Sequence, residues 1–128
     1  MFEINNPEVV TELKVAFLQY QKAVDANDFE TMNKLFWKSP STVRFGPNGT
    51  LIGHDAIATY RRERPGHVSS ERMLGNTVIT TFGRDFAATN TETMKHGQTT
   101  VGRQSQCWVR TPEGWRIVSA HVSDQPGT

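Results

Sequence analysis

TVRFGPNGTLIGHDAIATYRRERPG, residues 42–66, places two kinds of backbone side by side. TVRFG (42–46) alternates as a strand does, PNG (47–49) turns the chain, and Leu51 and Ile52 lie on a short return. GHDAIATYRRERPG (53–66) follows as a helix, with Pro65 and Gly66 as its stop. A hairpin joined directly to a helix belongs to neither an all-α nor an all-β chain, so the flanking segments decide the class.

Upstream, Asn6-Pro7-Glu8 reads as a helix start: a capping side chain, proline at the first helical position and an acid in the first turn. Val10, Leu13, Phe17, Tyr20 and Val24 then recur three and four apart, which predicts one helical face running to about Asp25 with Tyr20 on its buried side. DANDF (25–29) breaks the chain, and Asp28 is placed to cap a second helix with Met32, Leu35 and Phe36 as its apolar side. SPS (39–41) ends it.

Downstream the period changes to two. Strand-like runs occupy about 71–82, 86–95, 99–110 and 114–123, separated by GRD, KHG and TPEG, the punctuation of antiparallel hairpins. There is no repeat and no low-complexity break, so residues 1–128 form a single domain. The predicted class is α+β: three N-terminal helices packed on one face of a curved antiparallel sheet, a layout with room for a cavity between the layers.

Composition narrows the functions. A net charge of +1 argues against non-specific binding to nucleic acid or to a membrane surface. Nine of the fourteen cations are arginine, whose planar fork matches carboxylates when it lies in a pocket and means little on the surface. The single cysteine, Cys107, cannot form an internal disulfide and fits a reducing compartment. No apolar run approaches membrane-spanning length, and MFEINNPEVV lacks the pattern of a signal peptide, so a cytoplasmic location is expected.

On the third helix Ile57, Tyr60, Arg61 and Arg64 fall at i, i+3, i+4 and i+7, which is one face, while Arg62 points elsewhere into solvent. Arg61 and Arg64 therefore either pass the rim of the core, or pair with a carboxylate such as Glu92, or meet an anion. In TVRFG the alternation sets Val43 and Phe45 against Thr42, Arg44 and Gly46, so Arg44 faces solvent or a pocket wall. In VGRQSQCWVR (101–110) Arg103, Ser105, Cys107 and Val109 share one face, and Gln104, Gln106 and Trp108 the other. Such a polar strand lines a wet pocket or forms a subunit interface.

In WRIVSAHVS (115–123) strict alternation puts His121 on the face of Trp115 and Ile117. A lone strand histidine is more often a hydrogen-bonded core residue than a catalyst. His54, His67 and His96 sit in turns or helix ends without metal-ligand spacing, so no metal site is expected. The sequence has no GxGxxG, no phosphate loop and no GxSxG elbow, and no cofactor is expected.

FWKSPSTVRFGPNGTLIGHDAIATYRRERP (36–65), TVITTFGRDFAATNTE (77–92) and VGRQSQCWVRTPEGWRIVSAHVS (101–123) together resemble the AtzH-like, oxalurate-catabolism family. That family lies within the SnoaL-like, nuclear-transport-factor-2-like superfamily, which also holds ketosteroid isomerase. The resemblance implies a cone-shaped fold with a pocket at its open end and a homodimer formed through the sheet. It further implies a place beside amidases in the breakdown of ureides and triazines, with an amidase as a partner. Arg62, Cys107 and TMKHGQTT (93–100) depart from the family pattern.

Carried over by position, Tyr20 and Arg44 match the expected essential tyrosine and arginine, and Arg61, Arg64 and Arg103 match the family's other arginines. The substrate-binding set expected from these readings is Arg61, Arg64, Arg103, Gln104 and His121, around a small anionic substrate. The leading expectation is a decarboxylating hydrolysis of a small carboxylated urea or amide, with Tyr20 moving the proton and Arg44 orienting the carboxylate. The alternative is a non-catalytic anion-binding partner or regulator of an amidase. A third reading, isomerase-like proton transfer, requires a pocket carboxylate, for which Glu92 is the candidate.

Overall fold

Asn6 opens the first helix by accepting from the backbone N–H groups of Glu8 and Val9 through its side-chain oxygen. This helix, α1, runs Pro7–Asp25 and is followed by α2, Phe29–Leu35, capped by Asp28 on Thr31. The coordinates are a computed structural model describing residues 1–64 and 72–126. Pro65, Gly66, His67 and Glu71 lie outside the described residues. The buried stripe of α1 is Val9, Leu13, Phe17, Tyr20 and Gln21. Val9 replaces the expected Val10 because the interior row climbs in steps of four from the first turn.

Next come β1 (Val43–Gly46), β2 (Gly49–Ile52) and α3 (His54–Glu63), then β3 (Arg72–Phe82), β4 (Phe86–Lys95), β5 (Val101–Thr111) and β6 (Gly114–Gln125). The six strands form one sheet in the order β2-β1-β6-β5-β4-β3. All neighbours are antiparallel except β1 and β6, which are parallel, so the sheet is mixed rather than purely antiparallel. The cause lies in the chain leaving α2. Phe36 already bridges Ile117 in parallel sense, Trp37 donates its N–H to the Ile117 carbonyl at 2.9 Å, and the chain continues alongside β6 in that direction.

The three helices cover one face of this sheet, and their contact is the core: Val9, Leu13, Phe17, Phe36, Ile57, Trp108 and Ile117 are all excluded from solvent. Trp108 places its indole N–H on Thr89 Oγ1 at 3.0 Å, and Thr89 in turn donates to Gln106 Oε1 at 3.3 Å. The polar run of β5 is thereby accounted for on its inner side, because the buried amide of Gln106 has a partner.

β6 does not keep the strict alternation predicted for it. Cys107 faces Ser119 while the next residue, Trp108, faces Ile117, which leaves Val118 as an extra residue between them. Trp115 and Ile117 point inward before this bulge, and Ala120 after it. His121 is therefore turned to the exposed outer face, where its ring meets Phe45 edge-on at 6.0 Å.

Candidate functional site

Arg61 is a buried guanidinium, 6% exposed. It lies over the ring of Phe36 at 4.6 Å, donates Nη1 to Asn33 Oδ1 at 2.7 Å and Nη2 to the Tyr20 hydroxyl at 3.4 Å. Tyr20, itself buried, packs against Phe36 with ring centroids 5.8 Å apart. Helix spacing explains the meeting: Tyr20 is on the inner stripe of α1, and Arg61 is one turn beyond Ile57 on α3. Both partners of Arg61 are neutral, so its charge meets no carboxylate among the described residues.

Arg44 approaches the same space from β1. It pairs in register with the inward Ala120, whereas Val43 and Phe45 pair with the exposed Ser119 and His121. This settles the choice left by the alternation: Arg44 faces the cavity. Its guanidinium lies 5.5 Å from the centre of the Tyr60 ring, and Tyr60 in turn accepts from Asn48 Nδ2 in the hairpin at 3.2 Å. Burial depresses the Arg44 pKa below the usual arginine value, the nearby Tyr20 and Tyr60 oppose that shift, and the like charges of Arg61 and Arg64 reinforce it. Arginine stays protonated regardless, so the direction reports that holding its charge in this buried place is unfavourable.

Arg64, the residue that ends α3 in extended conformation, lines the cavity with Arg44 and Arg61. The enclosed volume is about 160 Å³, bounded also by Tyr20, Tyr60, Arg72, Thr93 and Gln104 over a floor of Val24, Met32 and Val122. That is small beside the roughly 300–1,000 Å³ of pockets for drug-sized ligands. Among the described residues, no acidic side chain lines it. The hollow at Phe2, Phe82 and Phe86 is larger, about 500 Å³, but it is more open and brings no set of like charges together.

Of the residues singled out in the sequence, Tyr20, Arg44, Arg61, Arg64 and Gln104 converge on this cavity. Arg103 and His121 do not. Arg103 lies on the outer face of β5, where it is exposed and donates to Gln125 Oε1. His121 is carried outward by the bulge. Glu92, the candidate base, pairs in register with Arg103 and accepts from Asn76 Nδ2 at 2.8 Å, away from the lining residues. Arg72 is the cavity arginine that the sequence reading missed. Its side chain is 5% exposed and binds Asp25 Oδ1 through Nε at 2.7 Å. A signal was available: Leu74, two residues on, packs on the core, which puts Arg72 on the same inward face.

A family model, AtzH-like, matches residues 2–127. The chain belongs to the AtzH-like family. Among solved structures it is similar to a cystatin-like fold protein from Burkholderia xenovorans LB400, at 43% identity, full coverage of both chains and a TM-score of 0.93. It is also similar to a protein of unknown function of the DUF3225 family from Pectobacterium atrosepticum SCRI1043, at 44% identity over 95% of this chain and 94% of that one, TM-score 0.91. A nuclear-transport-factor-2-like superfamily protein from Salmonella enterica serovar Typhimurium LT2 matches at 30% identity over 94% and 93% of the two chains, TM-score 0.74. No curated protein is matched. The AtzH-like chain described here is thus an α+β protein of the nuclear-transport-factor-2-like, cystatin-like kind, with a cavity of small-molecule size. Among the described residues, no helix is long and apolar enough to cross a membrane.

Proposed function

We propose that this AtzH-like protein is a small-molecule enzyme of nitrogen catabolism, catalysing the decarboxylating hydrolysis of a small carboxylated urea or amide. The observation that carries this reading is the meeting of Arg44, Arg61 and Arg64 around the Tyr20 phenol in a small cavity that, among the described residues, is lined by no carboxylate. Such a cavity has a surplus of positive charge held out of water, and a small carboxylate is the ligand that relieves it.

The chemistry asked of the site is modest. In an N-carboxylated urea the bond between nitrogen and the carboxyl carbon breaks, its electron pair stays on nitrogen, nitrogen gains a proton and carbon dioxide leaves. Arg44 orients the substrate through its carboxylate. The Tyr20 oxygen accepts from Arg61, which leaves its own hydrogen free to move to the departing nitrogen and to be replaced from water. The leaving carboxylate loses its charge, so exclusion of water favours the products.

Incubating the protein with N-carboxylated ureas should release carbon dioxide and the parent urea in equal amounts. Tyr20→Phe and Arg44→Ala should each abolish turnover while the circular dichroism spectrum is retained. Full activity in either variant contradicts the assignment. Thermal stabilisation by these compounds without any turnover would make the protein a binding module, an anion-responsive partner of an amidase. A homodimer through the outer sheet face belongs to the same reading, supported by the exposed Met73 and Val78 on that face.

A further inference from the structure

Behind the cavity wall a line of hydrogen bonds runs from β3 through α1 to β5. Arg72 Nε binds Asp25 Oδ1 at 2.7 Å, and Arg72 Nη2 reaches Gln21 Oε1 at 2.9 Å and the Gln21 carbonyl at 3.3 Å. Gln21 Nε2 donates to Gln104 Oε1 at 2.9 Å. Gln21 is 4% exposed and does not line the cavity, whereas Gln104 does.

The two ends of an amide are interchangeable in shape, so its orientation is fixed only by its partners. Here one partner is fixed by chemistry. A guanidinium has five N–H donors and no acceptor, so the Gln21 group facing Arg72 must be the carbonyl oxygen. Its NH2 then faces Gln104, and Gln104 must answer with its own oxygen. The Gln104 NH2 is what remains, with no protein partner among the described residues, on a side chain that lines the cavity.

The geometry points to Gln104 as a specificity-determining donor whose polarity is imposed by Arg72 acting through Gln21. Arg72 and Gln21 are positioning residues, and Asp25 holds Arg72 in place. Among the described residues, Arg44, Arg61, Arg64 and the Gln104 donor make the fixed polar groups of the cavity N–H donors, leaving Thr93 and the two phenols to play either part. The pocket therefore selects a small ligand that carries acceptor oxygens at both ends. It rejects one with a carboxylate at one end and an amine at the other, because a second cation would meet donors alone. This rests on the cavity being an anion site and adds which second group the ligand must carry.

The probes are malonate and 3-aminopropanoate, similar in size and differing in whether the second group is a carboxylate or an ammonium. Their dissociation constants are measured by calorimetry on the wild-type protein, Gln104→Leu, Gln21→Glu and the double variant. The wild type should bind malonate at least about tenfold more tightly than 3-aminopropanoate. In Gln21→Glu the new carboxylate still accepts from Arg72 but cannot donate. Gln104 must then turn its NH2 to position 21 and its carbonyl to the cavity, and malonate should weaken by about tenfold. In the Gln104→Leu background the same Gln21→Glu change should alter malonate binding less than about twofold, a coupling that a bulk charge or folding effect would not produce.

An equal loss in both backgrounds overturns the relay. Unchanged malonate binding in either single variant overturns it as well. Should a variant fail to fold, the side-chain amide resonances of Gln104 in the wild type decide: they must move on adding malonate, and stationary resonances refute the contact. No malonate binding by the wild type overturns both this inference and the anion-site reading. Tight wild-type binding that survives Gln104→Leu overturns this inference alone.

Discussion

Gly46 shows how one missing methyl group shapes the site. A Cβ added there would lie 2.8 Å from Arg44 Nη1, closer than such atoms approach. The bare glycine lets the guanidinium lie back along β1 toward Tyr60. Gly46→Ala should therefore push the Arg44 guanidinium aside and weaken malonate binding by about tenfold, read by calorimetry, with little change in Tm because only a flexible side-chain end must move. Arg103→Ala and His121→Ala should leave malonate binding unchanged, since both residues lie on the outer face. At this scale the inward side of Arg61 was legible from its helical spacing after Ile57, whereas Arg64 closes α3 in extended conformation and lies outside that spacing. Arg44 was not legible, because alternation states which residues share a face and not which face is inside.

Elements hold these side chains at two marked points, a cap and a bulge. Asn6 satisfies two N–H groups at the start of α1, the helix that carries Tyr20 and Gln21. Asn6→Ala should cost about 1 kcal/mol, a fall in Tm of about 4 °C in a thermal melt. The bulge at Val118 keeps Ile117 and Ala120 both inward, which plain alternation cannot do. Ile117 is wholly excluded from solvent, so Ile117→Ala should cost about 2–5 kcal/mol by denaturant unfolding. The same bulge is why His121 was misplaced from sequence. WRIVSAHVS contains no glycine or proline to mark an inserted residue, and the register is set by β5 across the ladder.

For the whole molecule, a cavity lined, among the described residues, by four arginines and no acid should be stabilised by what fills it. At a hundredfold excess over Kd, malonate should raise the unfolding free energy by about 2.7 kcal/mol, seen as a rise in Tm that sodium chloride at equal ionic strength does not reproduce. The outer sheet face, with Met73 and Val78 exposed, should pair with a second copy, so the protein should sediment as a dimer and Val78→Glu as a monomer. Element order, helix faces and strand runs were determined by the sequence alone, because periods of 3.6 and 2 and the capping and turn residues act locally. The parallel docking of β1 on β6, the bulge that turns His121 outward and the inward reach of Arg44 were decided only by the tertiary structure. Each depends on which distant strand or helix lies alongside, and a local pattern cannot encode the identity of a neighbour.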